Sequence, residues 1–270
     1  MHVLLWAFVF LMLQLSPSYA AGEQNPSESV VNAGDSQQES RFEQLKKLAE
    51  EGDGVSQTNF GLLYARGDGV AQDYVEAVKW LRKAAEQGRA VAQLNLGIMY
   101  RHGRGVPQDY QQALEWYYKA AEQGRADAEV NIGLMFQHGL GVAQDHAKAL
   151  EWYQKAAIQG NANAQFNLAA LYERGQGITH DYEQAFNWYQ ESAAQKIPSS
   201  QYSLAMLYEK GKGTPKDLVK ALAYLQLAAK GAGSDKEFAE AIKKASDRIK
   251  KSLSPTQEQE AQEEAARLLQ

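Results

Sequence analysis

His102 and His138 stand 36 residues apart in matching surroundings. Two imidazoles on adjacent helical units could share a metal ion if further ligands stood beside them. Arg66, Arg174 and Lys210 hold the same phase elsewhere, and no carboxylate or cysteine recurs beside it at ligand spacing. The reading is therefore a basic residue complementing the negative end of a helix, with no metal. Paired glycines at 67/69, 103/105, 139/141, 175/177 and 211/213 invite a phosphate-loop reading, but they end helices and follow no strand. Ser-x-x-Lys, Gly-x-Ser-x-Gly and His-Glu-x-x-His are all absent from the chain. Neither an enzyme nor a cofactor is expected.

The elements that position these residues are set by a repeat. Gly67-Asp68-Gly69-Val70 returns at Gly103, Gly139, Gly175 and Gly211, each 36 residues on, with Asp73, Asp109, Asp145, Asp181 and Asp217 at one offset behind. Such a period marks an array of helical units, each packing on its neighbours. Five repeats result, 53–88, 89–124, 125–160, 161–196 and 197–232. In each, helix A ends at the first Gly, where a left-handed residue closes a helix. Helix B starts at the Asp, whose carboxylate caps free N–H groups. Glu76, Gln112 and Gln184, three residues on, predict reciprocal capping boxes. Helix B closes at Gly88, Gly124 and Gly160; Lys196 with Pro198 predicts a differently bent junction in the fourth copy.

Small residues at Gly61, Gly97, Gly133, Ala169 and Ala205 let the paired helices approach closely. Trp80, Trp116, Trp152, Trp188 and Tyr224 are expected to supply the bulk between repeats. A capping helix is predicted over 41–52, and two capping helices over 233–270, the last starting at Ser254-Pro255.

The chain has 270 residues, a net charge of −5 and no dense basic cluster, which argues against nucleic acid and anionic lipid as partners. It has no cysteine, which excludes disulfides and thiolate chemistry. Val3 to Leu15 is apolar and is followed by Ser18 and Ala20 at signal-peptidase spacing, so residues 1–20 read as a cleaved secretory signal. No stable membrane insertion is expected after cleavage. Residues 21–40 are rich in Ser, Gln, Glu, Asn and Gly and read as a disordered leader. An exported, periplasmic or secreted, protein follows from that reading.

The recurring residues resemble the Sel1-like repeats, relatives of the tetratricopeptide repeat. Ala126, Ala128, Gly133, Met135 and Phe136, then Gly139, Gly141, Asp145, Trp152, Tyr153, Ala156 and Ala157, look like that family's pattern in one copy. The resemblance implies an all-α fold, a right-handed α/α superhelical solenoid that binds a protein or peptide on its concave side. It also implies a scaffold or regulator of the bacterial cell envelope. A secreted binder of cell-wall glycan or host surface protein is the alternative. Some cysteine-rich members carry penicillin-binding or β-lactamase names, but none of their cysteines stands here.

Carrying the tetratricopeptide groove over, positions three before, one after, four after and five after the Gly61 phase should face the groove. The first row reads Thr58, Leu94, Val130, Phe166, Tyr202, and the four-after row Ala65, Arg101, Gln137, Glu173, Glu209. Both vary between copies while packing phases do not, so they are the expected determinants of partner choice. Asn95, Asn131 and Asn167, in phase with Asn59 and Ser203, either bind an extended peptide backbone or hold a local loop.

Overall fold

The computed structural model describes residues 35–269, with side chains from Phe42 onward. The expected signal at 1–20, and the leader as far as residue 34, lie outside the described residues. Thirteen helices and no strands occur among the described residues. None of these helices is long and apolar enough to cross a membrane. The chain divides into two compact units, one ending at Ala143 and the other beginning at Gln144.

The first unit holds α1 (Asp35–Glu50), α2 (Gly54–Arg66), α3 (Tyr74–Glu86), α4 (Ala90–His102), α5 (Tyr110–Ala121) and α6 (Ala126–His138). The second holds α7 (His146–Ile158), α8 (Ala162–Arg174), α9 (Tyr182–Ala194), α10 (Pro198–Lys210) and α11 (Leu218–Gly231). It closes with α12 (Lys236–Lys250) and α13 (Pro255–Arg267). Helix α1 starts at Asp35, so the capping helix opens six residues before the Arg41 read from sequence. The boundary between units falls inside the third repeat, between its two helices.

Helix ends follow local chemistry. Gly67, Gly103, Gly139, Gly175 and Gly211 all take left-handed φ, between 63° and 77°, and close helix A. Asp73 and Asp109 each accept two backbone N–H groups from the start of helix B, and Asp145, Asp181 and Asp217 accept one. The reciprocal half of the expected capping box is displaced in all three copies, with the Asp181 N–H donating to Tyr172 O at 3.1 Å. The Asp73 and Asp109 N–H groups donate instead to Tyr64 O and Tyr100 O, at 2.9 and 3.0 Å, tying the start of helix B to helix A. Glu76 turns to Lys79, and Gln112 to Glu115. A complete box forms at Ser254 and Gln257, opening α13.

The second glycine of each pair has a separate role. A Cβ on Gly105 would fall on the Tyr74 carbonyl, and one on Gly213 on the Tyr182 carbonyl, so each loop lies directly on the first turn of the preceding repeat's helix B. The residue between the glycines covers the ring there. Arg104 sits 5.5 Å from the Tyr74 centroid and Lys212 4.2 Å from that of Tyr182.

Helix pairs close as tightly as the small residues predict. A Cβ on Gly97 would stand 2.6 Å from Tyr117 Cε1, and one on Gly61 2.8 Å from Leu81 Cγ. Trp116 and Tyr224 are buried, and Trp116 joins a core cluster with Leu81 and Leu96, as bulk between repeats requires, but the row is not the deepest layer. Trp80, Trp152 and Trp188 are only half-buried, whereas Leu81, Tyr117, Tyr153, Tyr189 and Leu225, one residue later, are wholly buried. One position turns a side chain about 100° around a helix, enough to exchange interior for rim. Lys83, Lys119 and Lys155, three residues after a Trp, place their ammonium groups 4.3, 3.9 and 4.1 Å from its ring centroid.

The fourth junction is not bent differently. Lys196 takes φ 64°, the left-handed region used by Gly88, Gly124 and Gly160, and Pro198 becomes the first residue of α10. A Cβ in that region costs about 1–2 kcal/mol. At the C-terminal end, Ile242, Ala245 and Ile249 of α12 are buried, as are Ala261 and Ala265 of α13, which packs back on α11.

Candidate functional site

The helix A rows named from sequence occupy two different environments. Leu94, Val130 and Phe166 are buried to within 3% of full enclosure, so this row forms interior and not an open groove. Tyr202, in the same phase, is half-buried and packs edge-on against Phe238 of α12, with centroids 5.7 Å apart. Thr58 is likewise buried and donates to Gly54 O at 2.7 Å.

The asparagine row is interior as well. Asn95 and Asn131 donate from Nδ2 to Val91 O and Asp127 O, the carbonyls four residues back, each at 2.8 Å. That bond is local to one helix, so these amides are not free to pair with a peptide backbone. Asn167 is also buried, and its Nδ2 has no hydrogen-bond partner among the described residues.

A second polar row went unread in the sequence. Gln57 and Gln93 are buried and donate to Ala49 O and Ala85 O of the preceding helix, at 3.0 and 3.1 Å. Each also accepts from a glutamine at the end of its own helix B, Gln87 or Gln123, at 2.7 Å. In the second unit Gln195 and Gln165 repeat the arrangement at 2.8 Å. The signal available was Gln57, Gln93, Gln165 and Gln201 at repeat spacing, with Glu129 in the third copy. This ladder binds each repeat to the one before, and its role is structural.

The row of Arg101, Gln137, Glu173 and Glu209 lies closer to the surface and carries charge. In the second unit both acids are engaged. Glu173 Oε2 accepts from the Tyr189 hydroxyl at 2.9 Å. Arg248 Nε and Nη2 fork onto the two Glu209 oxygens at 2.7 Å each. Gln137 is half-buried and engaged within the chain. In the first unit Arg101 is 6% exposed and donates from Nη1 to Asn131 Oδ1 at 3.0 Å.

His102, expected to act as a cation at the helix end, is neutral at pH 7. Burial, then the charges of Arg101 and Arg104, bring its pKa down to about 4. Among the described residues no group of three or more His, Cys, Asp or Glu is placed to hold a metal.

The parts of helix A that stay accessible are the first turn and the last residue. The first-turn row reads Val55, Val91, Asp127, Asn163 and Ser199, exposed at Val55 and half-exposed in the others. The last-residue row, five after the Gly61 phase, reads Arg66, His102, His138, Arg174 and Lys210. Ile98 and Met206 are half-buried between them. On helix B of the first repeat, an open depression of about 430 Å³ is lined by Val75, Val78, Trp80, Lys83 and Gly105, among others.

The Sel1 repeat pattern matches residues 48–88, 90–124, 126–161, 162–196 and 198–232, and the chain belongs to the Sel1 repeat family. Its fold class is the all-α repeat fold of that family. A crystal structure of a Sel1 repeat protein from Oxalobacter formigenes is similar at 33% identity, over 74% of this chain and 84% of that one, with a TM-score of 0.63. A Sel1 repeat protein from Klebsiella pneumoniae is similar at 25% identity, over 77% of this chain and 99% of that one, with a TM-score of 0.50. No curated protein matches the chain. Sel1 repeats generally mediate protein–protein interaction, and the family is generally non-catalytic.

Proposed function

We propose that this chain is a non-enzymatic interaction scaffold or regulator of the bacterial cell envelope, holding a protein or peptide partner against its helix A side. The observation that carries the reading is the split between phases. The helix-contact phase repeats as Gly61, Gly97, Gly133, Ala169 and Ala205, whereas the accessible first turn runs Val55, Val91, Asp127, Asn163 and Ser199. Positions freed from packing that change from Val in the first two copies to Asp, Asn and Ser in the others suit recognition of an irregular partner. Export rests on the apolar stretch from Val3 to Leu15 with Ser18 and Ala20 behind it.

The test is affinity capture from an envelope extract with the chain from Ala21 as bait. A parallel bait carries Val55→Asp, Val91→Asp and Ile98→Asp, with folding checked by circular dichroism. Retention of one protein by the native bait, and its loss from the folded variant, is the expected result. Retention by both moves binding off the helix A side. Retention on purified peptidoglycan or host glycoprotein, with nothing captured from the envelope, replaces the scaffold with a glycan or host binder. N-terminal sequencing of the exported protein tests cleavage after Ala20.

A further inference from the structure

We propose that residues 21–34, the chain just ahead of α1, turn back along α1 and cover an apolar stripe that the repeat order leaves open. This goes beyond the scaffold reading and does not depend on it. Leu45 and Leu48 stand 36 residues before Leu81 and Ala84, so α1 holds the place of a helix B with no helix A in front of it. In α3, Ala77, Leu81 and Ala84 share one side of the helix and are wholly buried. That side faces the repeat's own helix A, since a Cβ on Gly61 of α2 would stand 2.8 Å from Leu81 Cγ and 3.1 Å from the Ala77 carbonyl.

On α1 no helix stands against that side among the described residues. Leu48 is 41% exposed and Leu45 half-buried. The side turned toward α2 is closed: Ala49 is buried, and Phe42 meets Phe60 with centroids 5.2 Å apart. A repeat array needs a polar outer face at each end. The C-terminal end has one, because α13 buries Ala261 and Ala265 and leaves Gln257, Glu260 and Glu263 exposed. The stripe of Leu45 and Leu48 breaks that rule at the N-terminal end.

The preceding chain cannot cover it as one more helix A. One period before Phe60, Gly61 and Leu62 stand Gln24, Asn25 and Pro26, and a proline inside a helix removes a hydrogen bond and clashes with the turn before it. An extended strap fits instead. Asn32-Ala33-Gly34 places turn-forming residues directly before α1. Residues 26–34 can span about 30 Å, more than the about 20 Å from the start of α1 to Leu48. Val30 and Val31 are the large apolar residues of 21–34, and Glu23 and Glu28 are its charges. Lys46 and Lys47 flank the stripe. Among the described side chains Lys47 reaches only Glu51, at 3.9 Å on the surface, and Lys46 reaches no carboxylate. The valines therefore meet the leucines and Glu28 meets a lysine, at the high effective concentration that a short tether sets.

The experiment uses the chain from Ala21 with labelled Leu and Val methyl groups. Overhauser contacts should join Val30 or Val31 to Leu45 or Leu48. A glutamyl endopeptidase, which cuts after Glu28, should act about tenfold more slowly on the native chain than on Leu48→Ser, because the tether keeps the docked form in excess. Leu48→Ser changes an exposed side chain and should fold, as circular dichroism would show. Val30→Ser with Val31→Ser leaves the repeats untouched and should shift the Leu45 and Leu48 methyl resonances.

The proposal is overturned if no such contact is seen, if cleavage after Glu28 is equally fast in the native chain and Leu48→Ser, or if the valine substitutions leave both leucine methyls unmoved. A mixture of labelled and unlabelled chains separates the remaining occupant. Contacts that arise between chains, whether valine to leucine or α1 to α1, would make the cover a second copy and overturn it as well.

Discussion

Arg101 in the first unit and Glu173 in the second hold the same phase of the same repeat, yet they are treated in opposite ways. Glu173 is answered from within its own repeat by Tyr189, and Glu209, one repeat on, is answered by Arg248 of the closing helix. Arg101 reaches the Asn131 amide and lies beside the Tyr117 hydroxyl, both neutral. The backbone at the three sites is alike, since each lies in the last turn of a helix A closed by a left-handed glycine. The repeat therefore tolerates either sign of charge at this phase, and the surrounding side chains decide whether that charge is spent inside the molecule. In the second unit the two acids are met by a hydroxyl and a guanidinium; in the first the guanidinium is held by a neutral amide and a phenol.

The comparison can be broken at the packing positions, where the units should behave identically. Gly105→Ala and Gly213→Ala each drive a Cβ into a carbonyl at positive φ. Each should lose about 3 kcal/mol or more in urea unfolding. A large loss in one unit alone would show that the loops are not equivalent.

A smaller matched pair sharpens the polar contrast. Tyr189→Phe removes the hydroxyl that Glu173 accepts from and should cost about 1–2 kcal/mol. Tyr117→Phe removes a hydroxyl whose contact with Arg101 falls short of good hydrogen-bond geometry, and it should cost less than Tyr189→Phe. Equal losses from the two would erase the distinction.

Lys196→Gly should gain about 1 kcal/mol by relieving the left-handed Cβ, measured by thermal and urea unfolding. No gain would mean that the lysine side chain offsets its own strain.

The last prediction concerns His102, whose titration by NMR should centre near pH 4. Its folded pKa lies below the unfolded value of 6.5, so the unfolded chain binds the proton more tightly. This group subtracts nothing from stability above pH 6.5, and subtracts progressively more as pH falls from there toward 4. Arg101→Met should raise the His102 pKa. A midpoint left unchanged by that substitution would show that Arg101 contributes no field there.

The fold was readable because its instructions are local and repeated. Glycine at the end of helix A, Asp at the start of helix B and a small residue at the Gly97 phase each act within a turn or across one helix pair. The capping boxes failed because the Asp N–H had a carbonyl of helix A of its own repeat within reach. The tryptophans were read as bulk between repeats, and nothing in the sequence marked the residue after each one as lying deeper. Tyr117, Tyr153 and Tyr189 lie deeper, and Trp80 and Trp152 sit half-buried beneath their lysines.

The candidate site was legible as a set of phases but not as a surface. Variation between copies marked Arg101, Glu173 and Glu209 as candidates, but it did not separate a varied surface from a varied interior. Leu94, Val130 and Phe166 differ from one another and are nonetheless enclosed.

The sequence by itself determined the helix pairs, their period and their caps, because those depend on contacts a few residues apart. Only the tertiary structure decided which sides of helix A stay open and which charges find partners. Both depend on what the neighbouring helices bring within about 3 Å of a side chain, and that distance is set between repeats.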